Sequence, residues 1–322
     1  MLLSICIPTY NRSNYIDQLL ASIAKDPYAS QVAICISDNA SQDNTVEIVH
    51  KWIDYGLQIT FKRATENRGP DQNYLMVASL AKTPFIWFMG SDDLIIPYRI
   101  QDILKMIETF SYCSCFLFTR VNRDLNLKYQ GIQEFVKIKQ TDPEIFNFYH
   151  KKERHQYFKK AYNIGAYFSY LSAIIVKRDS WNSVSCEEKY IGTGYSHTSV
   201  ILKFLGNKES SQLCISRLPI VDCRLGNDSF FENFHQRLIL DLNGYKMLAH
   251  DYIQSSEQGL FFKPFKTDDY AHTVINALRF NRNSFKLFDF FLIFQLIGIS
   301  PILKKCICLS YTKIKKLFFR KN

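Results

Sequence analysis

The sequence is poor in glycine, proline and tryptophan, and this already excludes some classes of protein. Its 322 residues include only 12 glycines, 9 prolines and 3 tryptophans, while 47% are hydrophobic. A low-complexity or collagen-like chain is therefore excluded, and so large an apolar fraction argues against intrinsic disorder. The length suits one large domain with an appendage, or two modest domains.

Three functional signatures are also missing. C-x-C pairs occur at Cys113 and Cys115 and at Cys306 and Cys308, but no further Cys or His completes a zinc site. The turn at residues 8–12 contains no glycine, which argues against the Gly-rich phosphate loop of a nucleotidyltransferase. No helix-turn-helix, zinc-finger or RNA-binding strand pattern occurs, so we expect no nucleic-acid partner.

Long uncharged apolar runs and an N-terminal targeting signal are absent too. A membrane span needs about 20 mostly uncharged apolar residues, and the best candidate, residues 285–303, contains Lys286, Asp289 and Pro301. The first four residues lead directly into an apolar run, and the cysteine count of 9 is odd. These features predict a protein of the reducing cytosol.

Acidic residues are scarce towards the C terminus, where positive charge accumulates. The net charge is +10, which indicates an anionic partner. No acidic residue follows Asp289, whereas seven basic ones do: Lys304, Lys305, Lys313, Lys315, Lys316, Arg320 and Lys321. Residues 285–322 therefore predict an amphipathic, basic segment at a membrane interface. The alternative is a C-terminal helix packed on the core with a solvated basic end.

What is present in residues 1–110 is an alternation of apolar strands and amphipathic helices. Such alternation predicts an α/β fold with a mostly parallel sheet. Predicted strands cover 3–8, 32–37, 57–62 and 85–89, with helices near 15–24, 45–55 and 72–80. Further on, the pattern is mixed. It predicts strands at 115–121, 170–176 and 218–223, a polar helix at 144–160, and helix from 231 to about 255.

Three of the early strands end in clusters of small and polar residues. The clusters begin after Ile7, after Ser37 and after Met89. Ligands of open α/β sheets bind at the carboxyl ends of the strands. We therefore expect the three clusters to meet at one edge of the sheet.

The third cluster contains paired carboxylates, Asp92 and Asp93, directly after a strand. Such a pair suits Mg²⁺ or Mn²⁺, which prefer oxygen ligands and commonly bridge to phosphates. The alternative is that Ser91 or Asp92 caps a helix over residues 94–107.

The first two clusters carry groups suited to a nucleotide. Asn39 offers both a donor and an acceptor to a base, with Asp38 beside it, and Arg12 offers a planar fork to a phosphate. Thr9 and Tyr10 stand between these groups and the strand as candidates for ribose contacts. The alternative for both clusters is turn and helix-cap chemistry.

Other polar residues have either a structural role or a role in the predicted site. Asn67, Gly69 and Asp71 are turn residues or part of the site. His197 lies in a loop-like run before a helix predicted at 199–205, where a single His is more often structural. Arg224 and Asn227 form a polar cluster after a strand.

Taken in order, the runs I-P-T-Y-N-R, S-D-N-A-S-Q-D, N-R-G-P-D-Q-N and G-S-D-D resemble the bacterial family 2 glycosyltransferases of GT-A fold. That resemblance covers about residues 1–110. Residues 168–177, 190–197 and 223–230 resemble one branch, the abequosyltransferases of O-antigen assembly, and extend the likeness to about residue 255.

The resemblance implies a GT-A domain over residues 1–230, with a Rossmann-like sheet flanked by helices, and a helical region over 231–322. It implies transfer of a hexose, such as the 3,6-dideoxyhexose abequose, from a CDP-sugar with the help of Mg²⁺ or Mn²⁺. The acceptor would be an oligosaccharide on a polyprenyl diphosphate, at the inner face of the plasma membrane. Alternatives are a UDP-, GDP- or dTDP-sugar donor for another surface polysaccharide, and an inactive nucleotide-sugar-binding protein.

By residue, the resemblance places the nucleoside at Thr9, Tyr10, Asp38 and Asn39, and the metal diphosphate at Asp92 and Asp93. The full set predicted to bind the nucleotide sugar is Pro8, Thr9, Tyr10, Arg12, Asp38, Asn39, Asn67, Gly69, Asp71, Ser91, Asp92, Arg224 and Asn227. Asp93 and His197 are the predicted catalytic residues.

Two departures from the family pattern leave questions open. Gly90 stands where many members have the first aspartate of D-x-D-D. Ser196 and His197 stand where inverting members carry a Glu-Asp pair. Either His197 is the general base, or the reaction retains configuration and needs none. The sequence predicts neither the stereochemistry nor the oligomeric state.

Overall fold

A computed structural model describes residues 1–138, 142–227, 233–280, 284 and 286–297. The chain forms two compact units, residues 1–227 and 228–322. The first unit contains a ten-stranded mixed sheet, and the second is helical over the described residues.

The first half of unit 1 is a parallel sheet with its helices. The strands follow the order β3-β2-β1-β4, and every neighbouring pair is parallel. The predicted strand and helix alternation is confirmed. The elements are β1 (Leu3–Thr9), α1 (Ser13–Ala24), β2 (Val32–Asp38), α2 (Thr45–Asp54), β3 (Ile59–Arg63), α3 (Gly69–Leu80) and β4 (Phe85–Phe88).

The second half of unit 1 makes the sheet mixed. Its elements are β5 (Leu94–Ile95), α4 (Arg99–Thr109), β6 (Cys115–Arg123), β7 (Tyr129–Gln133), β8 (Glu144–Asn147), α5 (Lys151–Lys160), β9 (Ile174–Lys177), α6 (Arg178–Asn182), α7 (Ser196–Asn207) and β10 (Gln212–Arg224). Strand β9 lies antiparallel between β4 and β6, and β10 is parallel to β6. Strands β4, β6 and β10 therefore run in the same direction and end at the same edge.

The core lies between this sheet and the helices that cover it. All seven residues of β1 are buried, as expected for a central strand with neighbours on both sides and helices on both faces. Helix α1 turns Ile16, Leu19, Leu20 and Ile23 towards the sheet, which is the 3.6-residue spacing of an amphipathic helix. This packing fixes the ends of β1, β2 and β4, from which the polar clusters project.

Two local predictions are wrong, and one alternative interpretation is excluded. The helix predicted over 144–160 begins only at Lys151, because residues 144–147 pair with β10 as an edge strand. The strand predicted from 170 begins at Ile174, after a short 3-10 turn at Leu171–Ala173. The capped helix over 94–107 was the alternative to a metal site, and it does not form as one helix, since Leu94–Ile95 pairs with β10 before α4 starts at Arg99.

Unit 2 consists of helices α8 (Phe234–Tyr252), α9 (Ser255–Phe261), α10 (Asp268–Phe280) and α11 (Leu287–Leu296) in its described residues. Helix α11 packs within this unit: Leu292, Ile293 and Ile297 are almost fully buried. His235 also pairs with Asp289 at 3.0 Å. No helix in the part of the chain that the structure describes has the length and hydropathy needed to cross a membrane. Residues 298–322, with the basic cluster, lie outside the described residues.

Candidate functional site: a carboxylate pair at the edge of the sheet

The site begins where β2 ends, at a fully buried carboxylate. Asp38 accepts hydrogen bonds from the Ser41 backbone N–H, at 3.2 Å to each oxygen, and from the Ser41 hydroxyl. Arg63, at the end of β3, approaches the same carboxylate at 3.3 Å. Asp38 thereby fixes the sharp turn at Ala40, whose φ is 63°. The charge of Asp38 is balanced within the protein.

The Asn39 amide clamps the turn that precedes α3. Its Nδ2 donates to Asn67 Oδ1 at 2.8 Å and to the Gly69 carbonyl at 3.1 Å, while its Oδ1 accepts from the Arg68 N–H at 3.0 Å. Gly69 has a φ of +81°, a conformation that favours glycine. The predicted residues Asn39, Asn67 and Gly69 are thus brought together, and both amide hydrogens of Asn39 are in use.

Asp71 links α3 to the loop before α7. It is 1% exposed. Its Oδ2 accepts from the backbone N–H groups of Gly192 and Gly194, both at 2.8 Å, and its Oδ1 accepts from that of Ser196 at 3.0 Å. A carboxylate that accepts several backbone N–H bonds is strongly held. Asp71 therefore sets where α7 begins, at Ser196, the residue before His197.

Asp92 faces the ends of β1 and β10. Its Oδ2 accepts from Asn227 Nδ2 at 2.9 Å and lies 3.6 Å from an Arg12 nitrogen. Arg224 donates to the Asp92 carbonyl at 3.4 Å. The guanidiniums of Arg12 and Arg224 lie 5.3 Å and 5.1 Å from the centre of the Tyr15 ring, within cation–π range. Four predicted residues therefore meet here, with Arg12 beside the Asp92 carboxylate and Arg224 at the Asp92 backbone carbonyl.

Asp93 faces the interior and has a different set of partners. Its Oδ2 accepts from the Tyr170 hydroxyl at 2.6 Å and from the Ser172 hydroxyl at 2.5 Å. Burial, followed by the neighbouring charge of Asp92, raises the pKa of Asp93 to about 7. The same burial and the charge of Asp93 raise the pKa of Tyr170 well above its ordinary value. Tyr170 therefore remains a donor, while Asp93 changes its protonation state near neutral pH.

The two carboxylates converge on the space beside Gly90. The position that a Cβ on Gly90 would occupy lies 3.1 Å from Asp92 Oδ1, 3.1 Å from Asp93 Oδ2 and 3.3 Å from Ser172 Oγ. An aspartate in place of Gly90 would crowd both acids, so this chain combines two acids with a glycine. Among the described residues, no group of three or more His, Cys, Asp or Glu side chains is arranged to hold a metal ion. The pair fits a divalent cation that takes its remaining oxygens from a diphosphate and water.

His197 lies in the first turn of α7, which begins at Ser196 and not at residue 199 as predicted. It is 3% exposed, and its Nε2 lies 2.9 Å from the Phe168 carbonyl. That carbonyl fixes the proton on Nε2, which leaves Nδ1 as a lone pair with no partner among the described residues. Burial lowers the pKa of His197, so the ring is neutral at neutral pH.

The remaining predicted residues lie at the ends of β1 and β4. Pro8 is paired in register with Ser37 in the sheet. Thr9 is 2% exposed and its hydroxyl has no partner among the described residues, whereas Tyr10 is 41% exposed. Ser91 is buried beside the acid pair. Thr9 thus offers an unused hydrogen-bonding group at the strand end.

Sequence reasoning missed the two hydroxyls that hold Asp93. Tyr170 and Ser172 lie in residues 168–177, a run that carried the resemblance but was given no role. Ser172 also accepts from the Gly90 N–H at 2.8 Å, and its carbonyl accepts from Trp87 at 2.8 Å. The signal available was the presence of two hydroxyl residues just before an apolar strand.

Comparison with known proteins decides the family. A sequence profile described as "Glycosyl transferase family 2" matches residues 4–178. The chain belongs to glycosyl transferase family 2. Over 264 residues it is also 35% identical to the abequosyltransferase RfbV of Salmonella typhimurium, an alignment that covers 78% of this chain and 75% of that protein. This family 2 member is accordingly an enzyme, a glycosyltransferase of the hexosyltransferase class.

Solved structures of similar shape confirm the GT-A fold. One is Staphylococcus aureus TarS 1-349 in complex with UDP-GlcNAc, with a TM-score of 0.57 at 18% identity. The superposition covers 88% of this chain and 74% of the TarS chain. The mannosyltransferase PcManGT of Pyrobaculum calidifontis, in complex with GDP-Man and Mn²⁺, also has a TM-score of 0.57 at 15% identity, with coverage of 99% and 88%. At these identities the likeness concerns the fold alone.

Proposed function

We propose that this family 2 enzyme transfers a hexose, such as the 3,6-dideoxyhexose abequose, from a CDP-sugar onto a polyprenyl-diphosphate-linked oligosaccharide. The observation that carries the proposal is the convergence of Asp92 and Asp93 beside Gly90, with Arg12 and Arg224 next to them. Such an arrangement suits the diphosphate of a nucleotide sugar. The relationship to an abequosyltransferase supports the choice of donor.

The nucleoside would bind at the ends of β1 and β2. Thr9 supplies a free hydroxyl and Tyr10 an exposed ring. Asn39 retains acceptor capacity on Oδ1, which suits the exocyclic amino group of cytosine. In this proposal Asp38, Asn67, Gly69 and Asp71 act mainly by holding the walls of the pocket.

The diphosphate would lie between the arginines and the acid pair. A bound Mg²⁺ or Mn²⁺ would neutralise the charge that develops on the departing nucleoside diphosphate. Asp92 and Asp93 are the residues that would hold the ion. Arg12 and Arg224 would bind phosphate oxygens directly, because their guanidiniums already lie beside Asp92.

His197 is the proposed general base. Its Nδ1 lone pair has no partner among the described residues, and its lowered pKa keeps that lone pair free of a proton at neutral pH. The ring also lies edge-on to Tyr74, with centroids 5.4 Å apart, which holds its orientation. A retaining reaction would proceed without this step.

Titration calorimetry tests which nucleotide the sugar donor carries. CDP, UDP, GDP and dTDP are titrated into the full chain, with and without Mg²⁺ or Mn²⁺. Metal-enhanced binding that is selective for CDP is the expected result. Selectivity for UDP, GDP or dTDP would change the nucleotide assigned to the sugar donor but not the proposed transfer reaction. Absence of binding to all four nucleotides would refute the proposed site. Nucleotide binding with neither donor hydrolysis nor transfer would contradict the proposed transfer reaction.

We also propose that the basic C terminus attaches the enzyme peripherally to the anionic inner face of the plasma membrane. The predicted membrane segment covered residues 285–322. Because α11 is packed within unit 2, we assign membrane binding to residues 298–322 only. Deleting residues 298–322 removes the basic cluster and leaves all described residues of unit 2 in the chain. The truncated chain should lose binding to vesicles that contain anionic lipid and keep its nucleotide affinity. Equal vesicle binding by both chains would contradict this proposal.

A further inference from the structure

Arg120 forms no direct ion pair in the part of the chain that the structure describes, and its positive charge acts on Asp93, where it lowers the pKa of that carboxyl. Its guanidinium makes neither a hydrogen bond nor an ion pair with any described residue, and its Nε is buried without a partner. It lies 4.2 Å from the centre of the Tyr170 ring and 5.9 Å from that of Phe135. An unpaired buried donor is costly, so such a group is retained where a ligand completes it.

Asn122, two residues further along the same strand, has an unpaired acceptor where Arg120 has an unpaired donor. Its Oδ1 is a buried acceptor that has no partner among the described residues. Residues two apart on a strand project to the same face. On the neighbouring strand β7, the residue paired with Asn122 is Gly131. No atom lies within 4 Å of the position that a Cβ on Gly131 would occupy. Space is therefore available beside Asn122. Both residues keep part of their surface exposed, so each is able to turn towards a ligand.

This pair lies at the reactive edge of the sheet. Strand β6 runs in the same direction as β4, so the last residues of β6 and the acid pair after β4 are on one side. Tyr170 makes the connection directly, because it stacks on Arg120 and donates to Asp93 at 2.6 Å. The partners of Asp92, namely Arg12, Arg224 and Asn227, form a separate set.

We propose that Arg120 and Asn122, with the ring of Tyr170, form a hexose-binding subsite beside Asp93. This inference rests on the proposed glycosyl transfer from a nucleotide sugar. A hexose offers hydroxyls that both accept from Arg120 and donate to Asn122, and its C–H face packs on the part-exposed ring of Tyr170. A phosphate offers acceptors only and leaves the Asn122 oxygen without a donor. The hexose is that of the donor or that of the acceptor.

The test compares Arg120→Met and Asn122→Ala with the matched control Arg123→Met. Arg123 lies on the same strand but pairs with Asp222 at 2.8 Å. The probes are CDP, CDP-glucose, UDP and UDP-glucose, titrated calorimetrically into the full chain with Mn²⁺, together with the rates of donor hydrolysis and of transfer to methyl mannoside and methyl galactoside. The expected result is an unchanged affinity for the nucleoside diphosphate in both site variants.

The two sources of hexose give different results in the site variants. A donor subsite weakens binding of the glucose conjugate roughly tenfold, the size of effect that one lost hydrogen-bonding group produces. An acceptor subsite leaves that affinity and donor hydrolysis unchanged, while KM for the methyl glycoside rises by about the same factor. Arg123→Met should change none of these values.

Three outcomes would overturn the subsite. One is a loss of affinity for CDP or UDP themselves in Arg120→Met, which would identify a phosphate contact. Another is wild-type behaviour of both site variants with every probe. The third is a lower melting temperature in Arg120→Met than in Arg123→Met, since removal of an unpaired cation should cost the fold less than removal of a paired one. If the wild-type chain binds no nucleotide at all, the proposed function fails instead.

Discussion

Polar side chains at the two sides of the reactive edge differ in how far the protein itself satisfies them. At the end of β2 and the start of α3, Asp38, Asn39 and Asp71 are engaged by backbone groups and neighbouring side chains at 2.8–3.3 Å. Beyond β4, Asp93 has a pKa of about 7, and Arg120 and Asn122 carry unpaired buried atoms. The first region is complete without a ligand, and the second is not.

The difference indicates where stability and activity reside. Saturated polar groups hold loops at fixed positions, so their loss should destabilise the fold. Unsatisfied or charge-strained groups cost stability, and they are retained where a ligand or reaction uses them. Substitutions in the second region should therefore reduce activity more than stability, and substitutions in the first region should do the reverse.

The largest effect is expected for Asp93→Asn. Loss of a carboxylate that would bind the metal diphosphate should lower the transfer rate by roughly 100-fold or more. Since the native pKa of Asp93 is raised to about 7, the stability that this group contributes is fully present below about pH 4 and is lost as the pH rises through about 7. The neutral amide avoids that loss, so the variant should melt at or above the wild-type temperature at pH 8. A rate within threefold of wild type would remove Asp93 from the chemistry.

Next is Asp71→Ala, which should act on stability. The change leaves three backbone N–H groups without their acceptor at a residue that is 1% exposed. We expect a loss of about 2–4 kcal/mol in the free energy of unfolding, measured with urea. Asp54 is an exposed aspartate on α2 and provides the control, since Asp54→Ala should stay within about 0.5 kcal/mol of wild type.

The sequence predicted the strands that carry the site but not the partners of Asp93. Strands β1, β2 and β4 are continuous apolar runs that end in polar residues, so their positions and shared edge follow from local pattern. The partners of Asp93 come from Tyr170 and Ser172, about 80 residues away, and no periodicity reports such pairings. The strand at residues 144–147 was missed because its pairing with β10 is also distant in sequence. Tertiary pairing overrode the local helical signal there.

Ser172→Ala should have an intermediate effect. Its hydroxyl donates to Asp93 and accepts from the Gly90 N–H. The hydroxyl lowers the pKa of Asp93, so its removal should raise that pKa above about 7 and move the acid limb of the pH–rate profile to higher pH. At pH 7 the rate should fall by roughly tenfold, the effect of about 1.4 kcal/mol. Ser79→Ala, at an exposed hydroxyl of α3, is the control; an unshifted profile in Ser172→Ala would show that the hydroxyl does not tune Asp93.

The smallest effect concerns the pH dependence of stability at His197. Burial lowers the native pKa of this ring below its ordinary value of about 6.5. The stability that it contributes is therefore fully present above pH 6.5 and is lost as the pH falls through the native pKa. His197→Gln keeps a donor for the Phe168 carbonyl and has no titrating group, so its melting temperature should fall less than that of wild type between pH 7 and pH 5. His50→Gln, at an exposed ring, should follow wild type. Parallel melting curves for all three proteins would show that His197 is accessible to protons in the native state, and the lone pair assigned to the general base would then lack its protected environment.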